Sequence, residues 1–115
     1  MNYELDSMIG LDRLELSYEA HVVGFDGECF LYGVYFEDAL TEEKTEEVTR
    51  AVNGFFEAAG DIGAYIDVTR REEKVIIYLD LGGVFEPADQ DMAIKGVLKA
   101  LDKVEGIRIV LINED

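Results

Sequence analysis

The chain is short of the residues that build cross-linked or reactive sites. One cysteine, Cys29, stands among 115 residues, so no disulfide can form within the chain. That excludes a small secreted scaffold stapled by bridges. One histidine, His21, leaves a zinc site without its usual set of nitrogen and sulfur ligands. The glycines fall into no P-loop and no Gly-x-Gly-x-x-Gly or Gly-x-Ser-x-Gly pattern. The acids form no Asp-x-Asp-x-Asp-Gly loop of the calcium-binding kind, and scattered acids read as a solvated surface. No metal and no cofactor is expected.

Basic charge is scarce too. Ten Lys and Arg face 26 Asp and Glu, for a net charge of −16. Such a field repels phosphate backbones and anionic membrane surfaces, so direct nucleic-acid and membrane binding are disfavoured. A basic protein would instead be steered in. Adaptation to high salt is the other reading of the same charge. No apolar run approaches the length of a membrane span. Residues 1–10 carry acids and no basic-then-apolar leader pattern, so the expected address is the cytoplasm.

What the chain does have is core-forming material. Hydrophobic residues make up 49%, with six Tyr and six Phe, which suits one folded domain over residues 1–115. Residues 1–11 show no clear period and either fray or cover an edge. Residues 14–22 alternate, with Leu14, Leu16, Tyr18, Ala20 and Val22 on one side and Glu15, Ser17, Glu19 and His21 on the other. That is a half-buried strand, placed at about 14–23. Asp26-Gly27 then predicts a tight hairpin into a second strand at about 28–37. This second strand is apolar on both sides, so it belongs in the middle of a sheet.

Thr41 is a good N-cap for a helix over 42–59, whose stripe is Val48, Ala51, Val52, Phe55, Phe56 and Ala59. Phe55, taken as buried, would cost about 3–5 kcal/mol on truncation to alanine. A second hairpin follows, at 64–70 and 74–81, in the register Val68–Ile77, Ile66–Leu79, Asp67–Tyr78 and Tyr65–Asp80. Pro87 opens a second helix near 88–105, with Ile94, Val97, Leu98 and Leu101 on its apolar stripe. Gly96 lies inside that helix, where it would let the backbone approach the sheet. Residues 107–112 form the last strand.

The fold class is therefore α+β in the order ββαββαβ. The expectation is a mostly antiparallel five-stranded sheet with two helices on one face. From the second strand onward the order βαββαβ resembles the ferredoxin-like fold. The resemblance is one of element order and implies no activity. It also creates a conflict, because a tight first hairpin and the ferredoxin-like order both claim the same side of the second strand.

The first hairpin would set His21 opposite Tyr32 and Cys29 opposite Gly24, so a Cys–His nucleophile pair is not indicated. Cys29 reads as a small buried apolar residue, and His21 as an exposed or half-packed strand residue. The sheet face away from the helices is then the candidate binding surface. It would carry Glu19, Tyr32, Tyr65, Asp67, Tyr78 and Asp80, with His21, Thr69, Arg108, Phe30, Val34 and Ile76 beside them. Tyrosines among acids suit protein recognition, since tyrosine joins contact area to a hydrogen-bonding tip. The same face could equally pack on residues 1–11 or on a second copy in a homodimer.

Two functions are expected from this pattern. The first is a non-enzymatic acidic module that binds or inhibits a basic protein. Immunity proteins that block basic nuclease toxins, and phage-encoded anti-defence proteins, resemble this chain in size and charge. The alternative is a homo-oligomeric domain that binds a small ligand or serves as an enzyme subunit. A pocket beside Tyr65 and Tyr78 would favour the alternative, and a flat acidic patch the first.

Overall fold

The computed structural model describes Asp6, residues 10–24 and residues 27–114. The elements are β1 (Glu19–Val22), β2 (Cys29–Phe36), α1 (Glu42–Ala59), β3 (Tyr65–Arg71), β4 (Lys74–Asp80), α2 (Pro87–Leu101) and β5 (Ile107–Ile112). A single 3-10 turn, Leu11–Arg13, precedes β1. The five strands form one mixed sheet in the order β1-β5-β2-β4-β3. All neighbours are antiparallel except β1 and β5, which run parallel.

The alternation of β3 and β4 sets their pairing, and the observed register is the expected one, with Val68 opposite Ile77 and Tyr65 opposite Asp80. The first hairpin does not form. β5 lies between β1 and β2, pairing Val34 with Val110 on one side and Ala20 with Val110 on the other. The physical reason is apolar matching. β2 and β5 are each apolar on both faces and take inner positions. β1, polar on one side, is left at the edge and is hydrogen-bonded over only four residues. Phe25 and Asp26 of the expected turn lie outside the described residues. The link from β1 to β2 is tied down over the end of β5 by Asn113. Its side-chain nitrogen donates to the Gly24 carbonyl at 3.1 Å, and its side-chain oxygen accepts from Leu31 N–H at 2.9 Å.

This insertion reverses the expected orientation of β2. Phe30, Tyr32 and Val34 are buried in one core with residues from both helices, and they pair with Leu79, Ile77 and Val75. The expectation that Phe30, Tyr32 and Val34 face outward is therefore overturned. Tyr32 is wholly enclosed and donates its hydroxyl to the Ile94 carbonyl at 2.9 Å. Tyr18 donates likewise to the Leu98 carbonyl. Burial pushes both phenols well above their ordinary pKa.

Thr41 caps α1 as expected, its hydroxyl accepting from Lys44 N–H at 3.2 Å. Only Val48 and Val52 of α1 are buried outright. Phe55 is half-buried, so its truncation costs less than a fully enclosed ring would. It packs on Gly96 of α2, which makes room for a ring of the other helix and not for the sheet, contrary to expectation. A Cβ built on Gly96 would sit 2.0 Å from Phe55 Cζ.

At the far end of α2, Ser17 donates its N–H and its hydroxyl to the same Asp102 oxygen, both at 2.7 Å. These donors hold the Asp102 carboxyl below its ordinary value. Asp6 reaches the outer edge of β1, accepting Val22 N–H at 2.7 Å. No helix among the described residues is long and apolar enough to cross a membrane.

Two predictions follow from these contacts. Gly96→Ala gains up to about 1 kcal/mol of helix propensity but overpacks against Phe55, at a cost of about 1–3 kcal/mol. The same change should be more favourable by that amount in a Phe55→Ala background, read from a double-mutant cycle of urea midpoints. Asp102→Ala should destabilise the protein at pH 7. Because the folded carboxyl is depressed, this contribution is present above the ordinary carboxyl range and is lost as pH falls through the folded value. The gap between variant and wild type should therefore close in acid.

Candidate functional site

The sheet face away from α1 and α2 is set by strand pleat and register. Its rows run across the strands. One row is Tyr65, Asp80 and Cys29, the next Asp67, Tyr78 and Leu31. A third is Thr69, Ile76, Gly33, Leu111 and His21, and the last Arg71, Lys74, Tyr35, Ile109 and Glu19. Four of the six expected site residues, Tyr65, Asp67, Tyr78 and Asp80, thus sit together on β3 and β4. Glu19 is on the same face but at the opposite edge, because β1 pairs with β5. Tyr32 is in the core.

Tyr65 is the anchor of the first two rows. It is 60% exposed, and its ring meets Tyr78 edge-on at a centroid distance of 6.2 Å. The Tyr78 hydroxyl lies 3.1 Å from Cys29 Sγ. Cys29 is half-buried on this open face and not enclosed in the core as expected. Asp80 accepts Gly82 N–H at 2.8 Å, so one of its oxygens fixes the turn that leaves β4. Asp67 is exposed beside Tyr78. His21 is half-buried, its Nδ1 2.7 Å from an Asp6 oxygen and its Nε2 3.6 Å from Glu19.

The last row carries a cluster that the sequence reading missed. Lys74 Nζ donates to Glu114 at 3.1 Å and to the Tyr35 hydroxyl at 3.2 Å, and Tyr35 donates to Glu114. The Lys74 nitrogen lies 5.4 Å and the Arg108 guanidinium carbon 6.0 Å from the Tyr35 ring centroid. Arg108 stands at a register shift where β5 bulges against β2. The Tyr35 phenol is raised by burial and then by its bond to Glu114. The Lys74 ammonium is raised by its bonds to Tyr35 and Glu114. Tyr35 was hidden because β2 is apolar on both sides, and Glu114 because it read as part of a polar end.

Among the described residues no group of three or more His, Cys, Asp or Glu is placed to hold a metal ion. A comparison with known proteins finds no matching family model, no matching curated protein and no matching solved structure. The residues themselves offer a tyrosine–carboxylate strip at one end of the open face and a cation–phenol–carboxylate cluster at the other.

The cluster has a testable electrostatic signature. A folded Lys74 pKa above 10.5 means stability that is complete below that value and is lost as pH rises through the folded one. Lys74→Met should lower the urea midpoint at pH 7, and its difference from wild type should shrink in strong alkali.

Proposed function

We propose that this chain is a non-enzymatic acidic binding module that engages and inhibits a basic protein through Tyr65, Asp67, Tyr78 and Asp80. The observation that supports it is the exposed Tyr65 ring, propped edge-on by Tyr78 on an edge strand, with carboxylates in the same two rows. An exposed aromatic already packed on a neighbouring ring has less entropy to lose on binding, and aromatic anchors carry much of an interface's energy. The −16 charge supplies the steering toward a basic surface. Glu19 contributes to that field from the far edge and not to the contact itself. The same reading has the chain act in the cytoplasm, occluding a basic site by charge and shape and performing no chemistry. We also read β2 to β5 with α1 and α2 as a ferredoxin-like arrangement. The order β5-β2-β4-β3 with every neighbour antiparallel supports this.

The test is a pull-down from the native host at low and high salt, followed by surface plasmon resonance on the purified pair. Association should slow as salt rises, because exposed charges are screened. Tyr65→Ala should weaken binding about tenfold or more, the loss expected of an aromatic anchor. Asp67→Asn should act mainly on the association rate. A partner whose affinity ignores Tyr65→Ala, or capture of nucleic acid in place of a protein, would sink the proposal.

A further inference from the structure

A trough crosses the open face at right angles to the strands. Its floor is the row Thr69, Ile76 and Gly33, contributed by β3, β4 and β2. One wall is apolar and aromatic, built from Tyr78 and Leu31. The other is cationic, built from Arg71 and Lys74, with Tyr35 in the same row. Glu114 closes the end that lies over β2. The trough encloses about 540 Å³, within the ~300–1,000 Å³ typical of small-molecule sites.

Gly33 is what lets Glu114 reach this place. A Cβ there would meet Glu114 Oε1 at 2.7 Å. The Glu114 carboxylate in turn shows what the cationic wall recognises, since it accepts from Lys74 and from the Tyr35 hydroxyl. Arg71, on the same wall, forms no ion pair among the described residues. Arg71 and Lys74 thus line one side of this depression. Opposite them is an aromatic ring, and between them a floor whose one large apolar side chain is Ile76.

We infer that the trough is a binding site for a small, flat, apolar molecule carrying a single carboxylate. The anion sits at Arg71 and the apolar body lies along Ile76 between Tyr78 and Leu31. Glu114 acts as an internal competitor, since it brings a carboxylate of its own to the same wall. A guanidinium suits the role, because its planar fork matches a carboxylate. This site is distinct in chemistry from the acidic strip that would take a basic protein, although Tyr78 borders both.

Two fluorescent probes separate the parts of the inference. Anilinonaphthalene sulfonate has an aromatic apolar body and one anionic group, and phenylnaphthylamine has the same body without the charge. Titrated into the full chain, the sulfonate should saturate a single site and bind about tenfold tighter than the neutral dye, the scale of one charge-assisted contact. Arg71→Gln should abolish that advantage and leave the neutral dye unaffected. Glu114→Gln should tighten the sulfonate severalfold. Arg71 is exposed and Glu114 half-buried, and near-ultraviolet circular dichroism checks that each variant is folded. Equal affinity for the two dyes, or sulfonate binding indifferent to Arg71→Gln, would overturn the anion assignment and leave an apolar site. Saturation by neither dye, or a dimer that excludes both, would overturn the site itself.

Discussion

Strand β2 is apolar on both sides, and a strand of that kind takes an inner place in a sheet, with a neighbour along each edge. The rest of the arrangement depends on how this need is met. β4 takes one edge and β5 the other, so β1 can reach the sheet only through β5. With β2 locked between two antiparallel neighbours, its pleat is no longer free. Phe30, Tyr32 and Val34 turn toward the helices, and Leu31, Gly33 and Tyr35 turn away. The open face is then aromatic and acidic at one end and cationic at the other.

That division explains how a chain of such acidity keeps a local basic wall. Lys74 and Arg71 are cross-strand partners on β4 and β3, so the hairpin alone brings them side by side. Two like charges directly opposite are unfavourable. Glu114, reaching back from the segment after β5, offsets the repulsion at Lys74. The Tyr35 ring beneath both Lys74 and Arg108 adds a second source of negative potential. The cluster is therefore built from three strands and one tail, and it exists only once β5 is in place.

How much of this could be read from residues alone differs by element. Helix α1 was legible to the residue, because Thr41 caps it, Gly60 ends it at φ 81° and the stripe between has one period. The β3–β4 register was legible because Ile66 and Val68 alternate with Tyr65 and Asp67, and only one phase keeps both hairpin faces consistent. Hence Tyr65, Asp67, Tyr78 and Asp80 were found together. β2 was not legible in the same way. Its residues are apolar at every position, so alternation cannot say which side is in, and a local turn signal at Asp26-Gly27 supplied the wrong answer. Long-range pairing with β5 overrode it. Tyr32 was misplaced for that reason, and Tyr35 and Gly33 were overlooked for the same one.

The placement of β5 has a consequence for how the chain is made. Synthesis runs from β1 to β5, yet β5 sits between β1 and β2, which emerge before it. Until residues 107–112 leave the ribosome, β2 has an unpaired edge and β1 has no partner in the sheet. The β3–β4 hairpin and the two helices can form earlier from nearby segments, whereas closure of the sheet must wait for contacts about 70–90 residues apart, which are slow to form on grounds of loop entropy. During that interval β2 presents a bare apolar edge, the kind of surface that pairs with other chains. The acidity of the chain is suited to this interval as much as to the folded state, since repulsion between like-charged chains disfavours edge-to-edge pairing before β5 is made.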